Sequence, residues 1–526
     1  MKNNVVELRG THLEREIAFP SVFNVAVPFI DRHIAEGRGE KLAIRAFAGD
    51  VTYAMLHERV NRYGNALRDF GLERGERVVM LVKDCAEFFY LFWGAIKAGI
   101  IPLPISTMLR PVDLAYIIDD SGCAGVFYSS EFATNAQAAL DLSDRPPACA
   151  MQVDGGDGTL ATAAADSTLE AALTTAEDDC FWLYSSGTTG RPKGAVHTHR
   201  NMVYTSQCYA VDTLGAEEGD IFYSIPRLFF AFGLGCAMTF PLWVGGTAIL
   251  DPRRPTPEIN AEVLNTFHPT LYAAVPTFYA AFLYSLETCK PDLSSLRRCV
   301  SGGEPIPEQL ERGWMDAIGV PLMDGFGSTE MLHIYCSNRI DDIHPGSAGK
   351  PVAGYQLRIV DEAGSDVPDG TQGRLLIKGP SMAKYYWNKP ELSARAFKDG
   401  WYDSGDNCYR DAEGYYHFCC RSNDMLKVGG IWVSPLEVEA ALLEKEYVFG
   451  AAVVGRADDH GMIKPEAWVV LKGGAHGTEE LAAELIAHCK TRLAPYKYPR
   501  SVQFVDEFPM TATGKVQRFK LRELGA

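Results

Sequence analysis

The chain has 526 residues, 47% hydrophobic and 22% charged, a balance that excludes disorder and a collagen-like fibre and implies several globular units. Lys plus Arg number 50 and Asp plus Glu 67, for a net charge of −17; general nucleic-acid binding, which needs clustered cations, is excluded with them. The 13 cysteines include no Cys-x-x-Cys spacing and read as reduced thiols of a cytoplasmic protein, and the first residues lack the apolar core of a signal peptide.

Along the chain, short apolar runs at 78–82, 100–105, 125–128, 181–184, 271–275 and 298–301 alternate with longer stretches such as 87–97. That alternation predicts an α/β chain with mainly parallel sheets covered by helices. The segment 141–178, rich in Ala, Asp, Gly and Thr, reads as a loose surface excursion. The stretch 228–250 carries no charge and is long enough to span a bilayer. However, Gly233, Gly235, Pro241 and the pair Gly245-Gly246 interrupt it. A buried helix followed by a strand at 247–250 is therefore expected, with no membrane span. Beyond about Gly349, alternating residues at 355–360 and 373–378 predict a small antiparallel sheet or barrel. After about Arg421 a compact α+β unit follows, with helices near 435–443 and 479–493. No repeat of period 20–50 residues occurs.

The strongest chemical signal is Tyr184-Ser-Ser-Gly-Thr-Thr-Gly-Arg-Pro-Lys-Gly194. Glycines admit backbone N–H groups close to a polyphosphate, the hydroxyls of Ser185, Ser186, Thr188 and Thr189 donate further hydrogen bonds, and Lys193 supplies a point charge. Lys193 is followed by Gly194, so this is not the GxxxxGK[ST] loop of P-loop NTPases.

This segment resembles the signature of the adenylate-forming superfamily, and five further motifs follow in that superfamily's order. Ser301-Gly-Gly-Glu-Pro305 looks like the turn bordering adenine, placing Gly302 and Glu304 there. Asp324-Gly-Phe-Gly-Ser-Thr-Glu330 resembles the aromatic-Gly-x-Thr-Glu motif. The resemblance implies ATP contacts from Asp324, Gly325 and Phe326, the last stacked on adenine, an α-phosphate contact from Thr329 and a Mg²⁺ ligand in Glu330. Phe326 stands where the family usually has Tyr. Trp401-Tyr-Asp-Ser-Gly-Asp406 supplies Asp406 for the ribose hydroxyls, and the stretch 420–430 is similar to the inter-domain hinge, with Arg421 near the ribose. Asn423 stands where the hinge usually carries Asp or Lys, and Gly429 and Gly430 would line a tunnel for CoA. Pro509-Met-Thr-Ala-Thr-Gly-Lys515 ends in the catalytic lysine.

The implied fold is a large N-terminal domain, 1–422, of two strand–helix subdomains and a small β-barrel, with a smaller mobile α+β domain, 423–526. The implied reaction uses ATP, Mg²⁺ and CoA to convert a carboxylic acid to an acyl-adenylate and then a thioester, with AMP and diphosphate as products. An enzyme that loads a separate carrier protein is the alternative, and a monomer or homodimer is expected. Within the superfamily the chain is most similar to benzoate-CoA and related aryl-CoA ligases, through the stretches 23–31, 228–235, 328–334 and 430–439. Phe229, Phe230, Ala231 and Phe232 would wall an aromatic ring together with Gly327, His333 and Ile334. Benzoate is the first choice of acid, with hydroxy-, amino- and fluorobenzoates and a heteroaromatic acid such as furoate left open. The Phe cluster also fits ordinary core packing, and His333 a satisfied core histidine.

Overall fold

The computed structural model describes residues 4–12, 14–154, 165–186, 191–304, 306–421, 424–428, 431–458, 462–510 and 516–524. Two parallel sheets form the body, as the alternation predicts. One has four strands, in the order Ile101–Pro104, Arg77–Leu81, Gly125–Tyr128 and Cys149–Gln152. The other has seven, in the order Leu322–Met323, Arg298–Ser301, Leu271–Ala274, Ile221–Ser224, Thr247–Ile249, Leu42–Arg45 and Val51–Thr52; the last is antiparallel to its neighbour. Their runs of Val, Ile, Leu and aromatic residues are buried, which is why they read as continuous apolar stretches without alternation.

The helices Tyr53–Asp69 and Ala86–Ala98 cross where Gly64 meets Gly94. A Cβ on Gly94 would lie 2.8 Å from both Gly64 N and Val60 O, so the close crossing requires glycine. Beyond residue 349 the strands Gln356–Val360, Gly373–Lys378, Trp401–Arg410 and Tyr416–Arg421 form an antiparallel sheet with the short strand Phe397–Lys398. After it, the strands Val448–Ala457, Ile463–Leu471 and Ser501–Phe504 carry the helices Pro435–Leu443 and Glu479–Arg492 around a separate apolar cluster that includes Val438, Leu442, Val469 and Leu485.

One expectation is corrected. The 141–178 segment is not a loose excursion: Cys149–Gln152 pairs in parallel with Gly125–Tyr128, and Ala165, Leu169 and Ala176 are buried. Asn61 and Arg62 of a flanking helix bond the carbonyls of Ser167 and Ala165. Side chains of a neighbouring helix thus satisfy a backbone that has no apolar period of its own. The 228–250 stretch is, as expected, a largely buried helical run followed by the strand Thr247–Ile249. It runs as Ala231–Leu234, a π-helical turn Gly235–Thr239, and Phe240–Val244. Gly245, at φ 78°, ends the last piece. Among the described residues no helix is long and apolar enough to cross a membrane.

Candidate active site

The 184–194 segment is a hairpin rather than a free loop. Asp179–Ser186 and Pro192–Thr198 pair antiparallel, with Lys193 opposite Ser185 and Gly194 opposite Tyr184. Gly194 leaves room for the Tyr184 ring, since a Cβ there would sit 3.0 Å from its Cζ. The Tyr184 hydroxyl donates to Asp120 at 2.9 Å, pinning one stem. Ser185 Oγ is buried and finds no hydrogen-bond partner among the described residues, as a hydroxyl kept for a phosphate would be. Gly187, Thr188 and Thr189 at the turn lie outside the described residues.

Residues 383–387 run beside this hairpin. Lys384 N donates to Val196 O, Val196 N to Tyr385 O, and Trp387 N to Gly194 O. Ala383 N donates to Glu330 O at 2.7 Å. The segment thereby joins the phosphate hairpin to the 324–330 motif, and Lys193 and Glu330 meet across it, Nζ to Oε1 at 3.0 Å. Burial alone would raise the Glu330 carboxyl, but the Lys193 ammonium and the Tyr386 hydroxyl outweigh it and hold Glu330 below the usual carboxylate range. Buried Tyr402 is near both Glu330 and Asp406.

Thr329 is held from behind. Buried His197 places Nε2 2.9 Å from Thr329 O, and Asn201 Nδ2 lies 3.0 Å from its Nδ1. Burial pushes His197 down to about 4. Neutral His197, accepting from Asn201 at Nδ1, donates from Nε2 to Thr329. Asp324 is buried and accepts from Gly325 N at 2.8 Å; burial pushes its carboxyl up to about 7. Phe326 lies edge-on to Phe418 at 5.8 Å. Asp406 and Arg421 are cross-strand partners in register, which brings together two residues that the motifs assign to the ribose.

The ring pocket is only partly the one expected. Gly302, Gly325, Gly327 and Ile334 do converge: a Cβ on Gly302 would touch Gly325 O, Ile334 and Phe232, and one on Gly327 would lie 3.1 Å from His333 O. His333 is buried among the rings of Phe240 at 4.6 Å, Tyr209 at 5.1 Å and Phe232 at 5.5 Å. Its Nε2 lies 3.3 Å from Phe232 O, while Nδ1 finds no partner among the described residues. Burial pushes this imidazole down to about 3, so it is neutral and Nδ1 is a free acceptor. Phe229 and Phe230 instead pack edge-on against each other at 4.6 Å, with Ala231 opening the next helix. Core packing accounts for Phe229, which is 4% exposed, and Phe232 is the member of that cluster in contact with His333.

Sequence reasoning missed His197, Tyr209, Phe240, Tyr386 and Tyr402. The first four stand in none of the motifs named above, and Tyr402 stands inside the Trp401–Asp406 motif, where only Asp406 is singled out. Gly302 is buried and Glu304 half-buried; Arg518 of the last helix is close enough to Glu304 to feel its charge. Asn423, Gly429, Gly430 and Lys515 lie outside the described residues.

The AMP-binding enzyme family matches residues 31–387, and the AMP-binding enzyme C-terminal domain matches 437–515. A benzoate–CoA ligase of Thauera aromatica is 47% identical, over 96% of this chain and 97% of that protein. A 4-hydroxybenzoate–CoA/benzoate–CoA ligase of Rhodopseudomonas palustris is 40% identical, over 95% and 94%. Of the solved structures, an anthranilate CoA ligase in complex with anthranoyl-AMP superposes with a TM-score of 0.92 at 38% identity, covering 96% of this chain and 98% of that one. A benzoate CoA ligase from Burkholderia xenovorans gives 0.89 at 42%, covering 95% and 100%.

Proposed function

The chain belongs to the AMP-binding enzyme family, and from that premise we propose that it is an AMP-forming aryl-CoA ligase acting on benzoate or a close analogue. The observation that carries this reading is the adjacency of two unlike sites. An ionised Glu330 with Lys193, beside a Ser185 hydroxyl that has no partner among the described residues, suits a triphosphate. Glycines beside Phe232, Ile334 and neutral His333 suit a flat ring.

In the first step a carboxylate oxygen attacks the α-phosphorus of ATP, and the bond to the departing diphosphate breaks. Both reactants are anionic, so the site must supply positive charge. Lys193 binds the β- and γ-phosphates, Thr329 orients the α-phosphate, and Lys515 sits beside the carboxylate and the α-phosphorus. The ionised Glu330 carboxylate and the Thr329 hydroxyl are hard oxygen donors of the kind Mg²⁺ takes, with phosphates completing its shell. That ion would neutralise phosphate charge there. Asp406 and Arg421 hold the ribose, and Phe326 packs on adenine. In the second step the C-terminal domain, from about residue 423, turns about Asn423. CoA enters past Gly429 and Gly430, its thiolate attacks the acyl carbon, and AMP leaves.

With Nε2–H directed at Phe232 O, His333 Nδ1 can accept a hydrogen bond from a ring hydroxyl or amine. Rings bearing such donors are accommodated alongside benzoate. The test is incubation with ATP, Mg²⁺ and benzoate, with and without free CoA. Benzoyl-CoA formed in proportion to AMP supports the reading. A stable adenylate that free CoA does not consume would favour transfer to a carrier protein.

A further inference from the structure

Tyr386 is about two hundred residues from the phosphate hairpin in sequence, yet its hydroxyl sits between the two charged groups that would handle the nucleotide. Its Oη donates to Glu330 Oε1 at 2.6 Å and accepts from Lys193 Nζ at 2.7 Å. The same ammonium lies 4.0 Å from the centre of the Tyr386 ring. A phenol is the side chain that can donate to a carboxylate and accept from an ammonium through one oxygen while its ring remains apolar. The ring packs on Phe397 at 5.1 Å, and an isolated antiparallel bridge to Ala195 fixes the backbone beside the hairpin.

The arrangement poses a problem of partner exchange. Lys193 is held on Glu330, Nζ to Oε1 at 3.0 Å. With a metal–triphosphate bound, Lys193 must turn to the phosphates and Glu330 to the cation, so a buried carboxylate loses its neutralising ammonium. We propose that Tyr386 is a positioning residue for adenylation: its hydroxyl stays on Glu330 Oε1 as Lys193 leaves, keeping the carboxylate hydrogen-bonded and oriented for the cation. This rests on the reading of Lys193 and Glu330 given above. The hydroxyl matters more after the exchange than before it, because before it Oε1 also has the ammonium.

The direct test is Tyr386→Phe, which keeps the ring, its packing and the contact with Lys193. Binding of ATP to the full chain is measured by calorimetry over a series of Mg²⁺ concentrations, without acid or CoA. The expected result is ATP binding about tenfold weaker at saturating Mg²⁺, in the range of one charge-assisted hydrogen bond. The Mg²⁺ midpoint should rise as well. The KM for benzoate and the rate of thioester formation from supplied benzoyl-AMP should stay unchanged, which a merely structural role would not produce. A double-mutant cycle with Glu330→Gln supplies a second measurement: the effect of removing the hydroxyl should largely vanish in the Gln background. Unaltered ATP and Mg²⁺ binding in Tyr386→Phe, an undiminished effect beside Glu330→Gln, or equal loss of both half-reactions would overturn the proposal. If the unaltered enzyme makes no benzoyl-AMP, the functional reading fails, and the binding titrations still judge Tyr386 separately.

Discussion

Gly235→Ala is a small change with a calculable consequence. Gly235 has φ −65° and ψ −64°, angles open to alanine, so the backbone raises no objection. Helix propensity even favours the change, by up to about 1 kcal/mol. The obstacle is steric. An added Cβ would stand 2.5 Å from His333 Nε2 and 2.9 Å from Phe240 Cζ, and closer still to His333 Cδ2. Ordinary contact begins near 3.4 Å, so the imidazole must move by roughly 1 Å, well beyond what close-packed interiors absorb freely. Phe240, Tyr209 and the Phe232 carbonyl block its escape. Overpacking of this kind costs about 1–3 kcal/mol, which exceeds the helix gain. The net expectation is a loss of about 1–2 kcal/mol. Thermal melting should show the loss. Steady-state assays should show kcat/KM for benzoate lowered about tenfold or more, with the KM for ATP unchanged, since ring contacts act on differential binding of the acid. Adding His333→Ala should relieve the clash, so the double variant should melt higher than the two single losses added together predict. A Gly235→Ala enzyme as stable and as active as its parent, or a double variant with strictly additive losses, would refute the packing assigned to His333.

Asp324→Asn should exchange stability for nucleotide binding. Burial lifts the Asp324 carboxyl from the usual carboxylate range to about 7, so the folded chain retains a proton that the unfolded chain releases at lower pH. Folding stability therefore falls as pH rises from about 4 to about 7, and the whole loss is in place above pH 7. Asn keeps the acceptor for Gly325 N without the charge, so its melting temperature relative to the parent should be higher at pH 8 than at pH 5. An equal difference at the two pH values would contradict this. Glu311 is pushed up to about 8, mainly by burial and further by the Asp324 charge. Asp324→Asn removes that repulsion, so the Glu311 contribution adds to the gain at pH 8 in the same direction. Lys515→Ala should abolish adenylation and spare thioester formation from supplied benzoyl-AMP, because the ammonium is needed only in the first half-reaction. Equal loss of both would remove Lys515 from the role.

Membership of the family was legible because its motifs are short, contiguous stretches of restricted residue types in a fixed order. The register of those stretches was not. The segment Tyr184 to Gly194 reads as one loop, yet Lys193 opposite Ser185 makes it a hairpin, and pairing across a turn leaves no periodic trace when the residues are Ser, Gly and Pro. The strand Cys149–Gln152 was missed because Cys-Ala-Met-Gln lacks the β-branched residues that mark strands; its place comes from pairing with Gly125–Tyr128. Tyr386 sits in a Tyr-Tyr-Trp run that looks like ordinary packing, and only the strand-like course of 383–387 beside the hairpin brings it to Lys193 and Glu330. His333 was ambiguous for a physical reason, since a satisfied core histidine and a ring contact share burial and neutrality; among the described residues its Nδ1 finds no hydrogen-bond partner. Phe229, Phe230 and Phe232 read as equal members of one wall, but the turn that ends at Phe230 N, bonded to Arg227 O, directs Phe229 and Phe230 to each other, and of the three rings it is Phe232 that meets the imidazole.

In the proposed reaction the acid is activated by bonding its own oxygen to the α-phosphorus before the thiol acts. Benzoate labelled with ¹⁸O in both carboxylate oxygens, supplied with ATP, Mg²⁺ and CoA, tests it directly by mass spectrometry of the products. One labelled oxygen should appear in AMP for each benzoyl-CoA formed, with none in diphosphate. Label in inorganic phosphate alongside ADP, or AMP free of label, would contradict the claim.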